Sequence, residues 1–392
     1  MKIEEFKNTV DSMFPCKWEN DYLNDLQRNL DNYIEVVSSL NDIQENVITE
    51  IKDLKNHIIE IINLYYDGRR GEAFMLFSSI LNGIEGKEGL FSNIGSIKIE
   101  EGNLYYRTRE RKSGCNFSIL DMFHIPLNKR GIVSTQRYSS PGYPCLYLGN
   151  SVYSCWEEMR RPSFDNLMFS AYKVKHSFRV FDMRIPDISD YSKELIEQTI
   201  KRIPLVLACS VGVKNSTDVF KPEYIIPQML VETIICNNRR ITQNQKSPFD
   251  EDVIWGVIYT STHINNDFPY GKRFLENIVL PVIESKNPAN YCYHLASLFE
   301  ISTPLCYEFE SLKENTSRLF IVNVDLIKSD EDIIRERYEQ SKMGYLEKKL
   351  RESSFEVLPH ICVECPAEGI VLDHNGNIKN VRIRSSRKFT IE

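Results

Sequence analysis

The chain has 392 residues and a mass of 45.8 kDa, enough for two or three ordinary domains. Hydrophobic residues make up 42% and charged residues 26%, which excludes a disordered or fibrous chain. A formal net charge of −7 speaks against general nucleic-acid affinity, although a local basic cleft remains compatible with it. The N-terminal stretch MKIEEFKNTVDSM is acidic and lacks an apolar core of signal length, and no apolar run approaches a membrane span, so a cytoplasmic protein is expected.

Residues 1–20 are mixed and carry at most one short helix. From 21 to about 66 the apolar spacing is helical. Leu23, Leu26, Leu30, Tyr33, Ile34, Val37 and Leu40 form one stripe, and Val47, Ile51, Leu54, Ile58, Ile61 and Tyr65 continue it. Asn41-Asp42 marks the break between two helices, Asp67-Gly68 ends the second, and Ala73, Phe74, Phe77 and Ile80 mark a third. These helices predict an all-helical domain over 1–95, with a regulatory or oligomerising role. His57 reads as a packed core residue. Asp67-Gly68-Arg69-Arg70-Gly71 reads as a loop between helices, because no strand precedes it and no Gly-Lys-Ser/Thr ending follows.

The window 104–158 is the richest in chemistry. Arg107, Arg109 and Arg111 alternate, so a strand would place them on one face. Such a face is either a solvated edge or a wall for phosphate, whose oxygens match the planar guanidinium fork. Arg137-Tyr138 follows, then the turn Ser139-Ser140-Pro141-Gly142 and the buried strand Cys145-Leu146-Tyr147-Leu148. Gly149 breaks that strand. Asn150 or Ser151 caps a helix from Val152, which carries Glu157-Glu158 on its second turn.

Strands are predicted at 169–174 and 178–183, with Lys173, Lys175 and Arg179 on their solvated side. Residues 192–210 are amphipathic on either side of Pro204, and 228–235 form an apolar helix beginning with Gln228, which either touches a ligand or caps the helix. Residues 253–261 form a strand with Gly256 inside it and Thr260 and Ser261 at its end. A glycine there marks close approach by backbone or ligand. Further strands are expected at 319–324 and in a hairpin turning at Asn375-Gly376, and a charged helix with little apolar surface at 334–350. The segment from about 315 either completes a sheet or forms an appendage. Most of the ten cysteines lie in apolar runs and read as buried thiols of a reducing compartment. Cys362 and Cys365 form a CxxC pair whose nearest further ligands are His360 and His374; no metal site is expected from them.

Tyr106-Arg107, Arg137-Tyr138, the Pro-Gly turn, Leu146-Tyr147-Leu148 and the acidic position on the next helix together resemble the RES domain. The apolar strand ending Tyr259-Thr260-Ser261 resembles the part of that family that supplies its Ser. The resemblance is dense over 104–158, looser over 224–261 and thin beyond. It implies an α+β, ADP-ribosyltransferase-like fold of mixed strands and helices over 96–392, behind the helical segment. It further implies catalytic roles for Arg107, Arg137, Glu158 and Ser261, with Glu157 as the alternative acidic position. Arg109, Tyr138, Tyr147 and Gln228 would bind NAD, which is a substrate rather than a true cofactor. The activity implied is cleavage of the nicotinamide–ribose bond by a toxin or defence effector. Inorganic phosphate as co-substrate would make it a NAD phosphorylase. Water would make it a hydrolase, a protein side chain a transferase, and loss of turnover a nucleotide-binding scaffold. An antitoxin or regulatory protein and a second copy of the chain are the partners implied; membrane and nucleic acid are not.

Overall fold

The computed structural model describes residues 3–40, 43–84, 87–93, 95–111, 117–185, 193–242, 253–262, 275–283, 290–307, 330–358, 369–372 and 378–381. Four helices open the chain: α1 (Ile3–Ser12), α2 (Tyr22–Ser38), α3 (Glu45–Tyr66) and α4 (Arg70–Asn82). Asp21 starts α2 by accepting the Asn24 N–H at 2.8 Å. The helical stripes read from the sequence are the buried ones: Leu26, Leu30, Tyr33 and Val37 in α2, and Val47, Ile51, Leu54, Ile58 and Ile61 in α3. His57 is only partly buried, because it lies beside that stripe rather than in it.

A small hairpin of β1 (Gly83–Ile84) and β2 (Lys87–Glu88) and a short α5 (Leu90–Asn93) lead into β3 (Ser96–Ile99) and β4 (Leu104–Glu110). There follow α6 (Ile119–Met122), β5 (Cys145–Gly149), α7 (Val152–Glu158), β6 (Leu167–Val174) and β7 (Phe178–Met183). Two long helices, α8 (Lys193–Cys209) and α9 (Ile225–Thr242), precede β8 (Ile254–Thr260), β9 (Glu276–Pro281), α10 (Tyr293–Ser297) and β10 (Phe299–Ser302). The last described elements are α11 (Asp330–Glu339), α12 (Lys342–Glu352), β11 (Phe355–Glu356), and the antiparallel pair β12 (Gly369–Leu372) and β13 (Ile378–Val381). The fold is α+β.

One nine-stranded sheet runs β11-β10-β6-β4-β5-β9-β8-β7-β3, antiparallel except for β7 beside β8. Its middle is weakly joined. β4 pairs with β6 along its whole length, from Leu104↔Lys173 to Glu110↔Leu167, but with β5 only at Tyr106↔Gly149. The sheet therefore consists of two halves meeting at a single bridge. Beyond the bridge the Arg107 guanidinium spans the opening and donates through Nη1 to the Tyr147 carbonyl at 2.8 Å.

The helical segment does not stand apart from the sheet. The Tyr33 hydroxyl donates to the Ile200 carbonyl of α8 at 2.8 Å. The Trp18 indole N–H donates to Glu223 at 2.8 Å. α2 and α3 pack on α8, α4 packs on α9, and one apolar cluster runs from these helices to Val257 and Val279 of the sheet. Trp255, Ile258, Leu146 and Leu148 belong to a second cluster, which includes Leu295 and Ala296 of α10.

One sequence reading is extended and one is corrected. α8 runs unbroken through Pro204, because Ile203 and Leu205–Cys209 are all buried and their packing outweighs the lost backbone bond. The charged C-terminal helix is two helices. Ser341 caps the second, accepting the Gly344 N–H at 3.2 Å, and α12 buries Tyr345, Leu346 and Leu350. The segments 319–324 and 359–368, with His374 and Asn375-Gly376, lie outside the described residues, and with them His360 and the Cys362–Cys365 pair.

Candidate active site

The loop before β5 carries Arg137 and Tyr138. Gln136 and Ser139 exchange backbone bonds of 3.0 and 3.2 Å across its tip. α9 holds it from one side. Gln228 Nε2 lies within bonding distance of Thr135 Oγ1 (2.9 Å), the Gln136 carbonyl (2.9 Å) and the Ser139 carbonyl (3.2 Å), and Glu232 accepts the Ser140 hydroxyl at 2.7 Å. Gln228 thus positions the loop from behind. Arg137 donates to the Cys209 carbonyl and to Thr262 Oγ1, both at 3.0 Å, and its guanidinium lies 5.4 Å from the centre of the Tyr224 ring. The Cys209 carbonyl is at the C-terminal end of α8, where a cation is favoured. Tyr138 is 1% exposed and packs on Tyr259 at 4.5 Å, so its ring belongs to the core under the site. Tyr147 donates its hydroxyl to Ser139 Oγ at 3.0 Å.

α7 supplies the carboxylates. Ser151 caps it, accepting the Ser154 N–H at 2.9 Å, and Gly149 admits it, because a Cβ there would lie 2.9 Å from Cys155 Sγ. The two glutamates have different partners. Glu157 is 5% exposed; each of its oxygens accepts from Arg161 Nε at 2.9 Å, and its Oε1 also accepts the Tyr153 hydroxyl. Glu158 instead accepts a 2.8 Å bond from Asn277 Nδ2 of β9, and Asn277 Oδ1 in turn accepts the Ser154 hydroxyl at 2.8 Å. The helix ends in a Schellman arrangement: Arg160 N–H reaches the Glu157 carbonyl (2.9 Å) and Arg161 N–H the Trp156 carbonyl (3.1 Å). Arg160 and Arg161 have φ of 64° and 55°, a region that favours glycine, so this turn holds two arginines at a steric cost.

The electrostatic neighbourhood joins these groups. Burial raises the Tyr147 and Tyr259 hydroxyls well above the usual phenol range, and the Glu158 carboxylate adds to both. Tyr224 is raised chiefly by burial, with Arg137 and Arg160 opposing the rise and Glu158 adding to it. Arg107 is lowered to about 10 by burial, and its Nε is shielded with no hydrogen-bond partner. Tyr147 and Cys155 lie within the electrostatic reach of both Arg107 and Glu158. Among the described residues neither Arg107 nor Arg137 forms an ion pair. The structure therefore gathers Arg137, Tyr147 and Glu158 around Tyr224 and Tyr259, with Arg107 at the sheet opening. Ser261 is 2% exposed, its N–H bonded to the Leu275 carbonyl at 2.8 Å, so the neighbouring Thr262 is the hydroxyl that meets Arg137.

Arg109 stays within the electrostatic reach of Arg107 but makes its hydrogen bond elsewhere. Its Nη2 donates to the Phe123 carbonyl at 3.1 Å, and its electrostatic neighbours are Tyr172, Asp121 and Tyr291. The alternation of charge did not reveal this, because the partner is a backbone carbonyl, that of Phe123, 14 positions further along the chain.

Two residues at the site, Thr262 and Asn277, escaped the sequence reading, and two more, Tyr224 and Tyr259, fell within the resembling segments without being assigned a role. Asn277 had a usable signal, a lone amide at the head of the apolar run Ile278–Val282 in the part of β9 that is buried. Tyr224 follows Pro222 in a one-turn 3-10 helix, Pro222–Tyr224, and only the fold brings it over Arg137.

No family model matches the chain, and no solved structure matches it. Among curated proteins it is similar to one from Bacillus subtilis (strain 168) named "Putative toxin YopC", with 33% identity over 313 residues that cover 74% of this chain and 67% of the relative. With the identity extending over most of both proteins, the chain belongs to the family of YopC.

Proposed function

We propose that the protein is a toxin that consumes NAD by cleaving its nicotinamide–ribose bond, with inorganic phosphate as the nucleophile. The observation that carries this reading is the grouping of two guanidinium groups that form no ion pair among the described residues, Arg107 and Arg137, with a carboxylate fixed by an amide, Glu158 on Asn277. A shielded guanidinium with an unpartnered Nε is a costly arrangement that an anion would relieve. NAD supplies two phosphates, and phosphate as co-substrate supplies a third anion. The toxin description of the relative agrees with this reading, as does the resemblance of Arg107, Arg137, Tyr147 and Glu158 to the RES pattern.

In this mechanism a phosphate oxygen forms a bond to the anomeric carbon of the nicotinamide ribose. The carbon–nitrogen bond breaks, and its electron pair leaves with neutral nicotinamide. The products are ADP-ribose 1″-phosphate and nicotinamide. The leaving group needs no proton, so the protein's work is electrostatic. Glu158 faces the positive charge that develops on the ribose. Arg107 and Arg137 hold the anions, and Tyr224 offers a ring face beside them. Asn277 and Ser154 keep the Glu158 carboxylate aimed.

The experiment is NAD loss by purified protein with and without phosphate, with products resolved by mass. Phosphate-dependent loss with ADP-ribose 1″-phosphate is the expected result. Free ADP-ribose without phosphate would make water the nucleophile, and a mass increase on protein would make the reaction a transfer. No loss under any condition would overturn the enzymatic reading.

A further inference from the structure

The loop that carries Arg137 borders, through Tyr138, Ser139 and Ser140, a cavity of about 280 Å³. Phe74 of α4, Tyr143 and Cys145 of the site segment, and Val231 and Ile235 of α9 make its walls apolar. Glu232 is the acidic group in its lining, and Arg239 and the exposed Cys236 also border it. Its volume is near the lower end of small-molecule sites, about 300 Å³, so it suits a single aromatic group rather than a dinucleotide. Two walls are aromatic rings, and the carboxylate sits one helical turn from Gln228, the other side chain that holds the loop. None of these residues except Gln228 and Tyr138, which also border the cavity, belongs to the NAD reading.

We propose that this cavity is a second ligand site, for a compact aromatic amine whose ring packs on Phe74 and Tyr143 and whose ammonium group meets Glu232. The ammonium group is preferred to a neutral hydroxyl because it adds the attraction of opposite charges to the hydrogen bond that either group would make to the carboxylate. Glu232 already accepts the Ser140 hydroxyl at 2.7 Å, so the occupant shares a carboxylate with the site loop and acts on the loop through it. That regulatory consequence rests on the proposed activity, whereas binding itself does not.

Tryptamine is the probe, titrated calorimetrically into the full chain, with indole-3-acetate as its acidic counterpart. Saturable one-to-one binding of tryptamine is expected. Glu232→Gln keeps an acceptor for Ser140 but removes the charge, and should weaken binding about tenfold. Ile235→Trp fills the cavity and should abolish binding while the melting temperature holds. If that variant does not fold, Val231→Phe serves as the second block. Absence of saturable binding would overturn the proposal, as would indole-3-acetate binding as tightly as the amine. Undiminished binding in a folded Ile235→Trp or Val231→Phe protein would do the same. None of these readings depends on NAD turnover, so the cavity and the proposed reaction fail separately.

Discussion

The two adjacent glutamates of α7 show how a single residue's partners assign its work. Glu157 is tied to Arg161 and Tyr153, so Glu157→Gln should cost stability, by about 1–2 kcal/mol for a charged hydrogen-bond set, and leave the chemistry largely intact. Glu158→Gln should leave the melting temperature close to wild type and reduce NAD loss by about a thousandfold, the scale of a lost electrostatic group; chromatographic NAD assays and thermal melts separate the two cases. Asn277→Asp places a second carboxylate at the 2.8 Å contact with Glu158. Like charges at that distance share a proton, so the rising limb of the pH–rate profile should move to higher pH. An unchanged profile would remove Asn277 from the positioning of Glu158. His124 makes a different prediction. It is wholly buried; its Nε2 accepts the Cys292 N–H at 2.8 Å, which leaves Nδ1 to donate to the Ile125 carbonyl. Burial lowers it from 6.5 to about 4, with Arg107 and Arg109 adding to the fall. A depressed folded value means the unfolded chain takes up the proton first. The contribution is therefore complete above pH 6.5 and lost as pH falls through about 4. The shift amounts to about 3 kcal/mol, and denaturant melts of wild type and His124→Gln across that window should converge toward acid pH.

At the scale of elements, α7 is a short helix held at both ends by groups foreign to it. Glu347 of α12 accepts the Val152 N–H at 2.7 Å, while the Tyr338 hydroxyl bonds the same carboxylate. Burial raises the Glu347 carboxyl above the usual range. Glu347→Ala leaves the start of α7 unsatisfied, and should cost about 2–3 kcal/mol along with activity, because Glu158 rides on that helix. At the other end Arg160→Gly relieves a positive φ, and a gain of about 1 kcal/mol is expected in melts. If that variant also binds NAD more weakly, the strained arginine serves the site. The single β4–β5 bridge is the second element-level feature. It leaves room between the half-sheets, which the Arg107 side chain spans.

For the whole molecule, the shared apolar cluster binds the N-terminal helices to α8 and α9. Heating should therefore give one cooperative transition, and a chain truncated before residue 96 should lose the cover of α8 and α9 and aggregate. Two separated transitions, or a soluble truncated chain with intact far-UV dichroism, would show instead that the helices fold independently. Among the described residues, no helix is long and apolar enough to cross a membrane.

Much of this was legible in one dimension because it depends on local spacing. The period of Leu26, Leu30, Tyr33 and Val37 sets a helix face, Ser151 sets the start of α7, and Gly256 marks a place where a Cβ would lie 2.0 Å from the Val279 carbonyl. The α+β class and the gathering of Arg137, Tyr147 and Glu158 follow from such signals and the motif they compose. Other features belong to tertiary structure alone. Alternation put Arg107 and Arg109 together, and they remain electrostatic neighbours, but only the fold decides that one bonds the Tyr147 carbonyl of β5 and the other the Phe123 carbonyl. Pro204 carries a local helix cost, yet α8 runs through it because burial outweighs that cost. Nothing near Glu158 in sequence names Asn277, 119 positions away, or Glu347 beneath the start of its helix. Local propensity acts over a few residues, whereas the partner of a buried polar group is chosen by whichever strand or helix the fold brings against it.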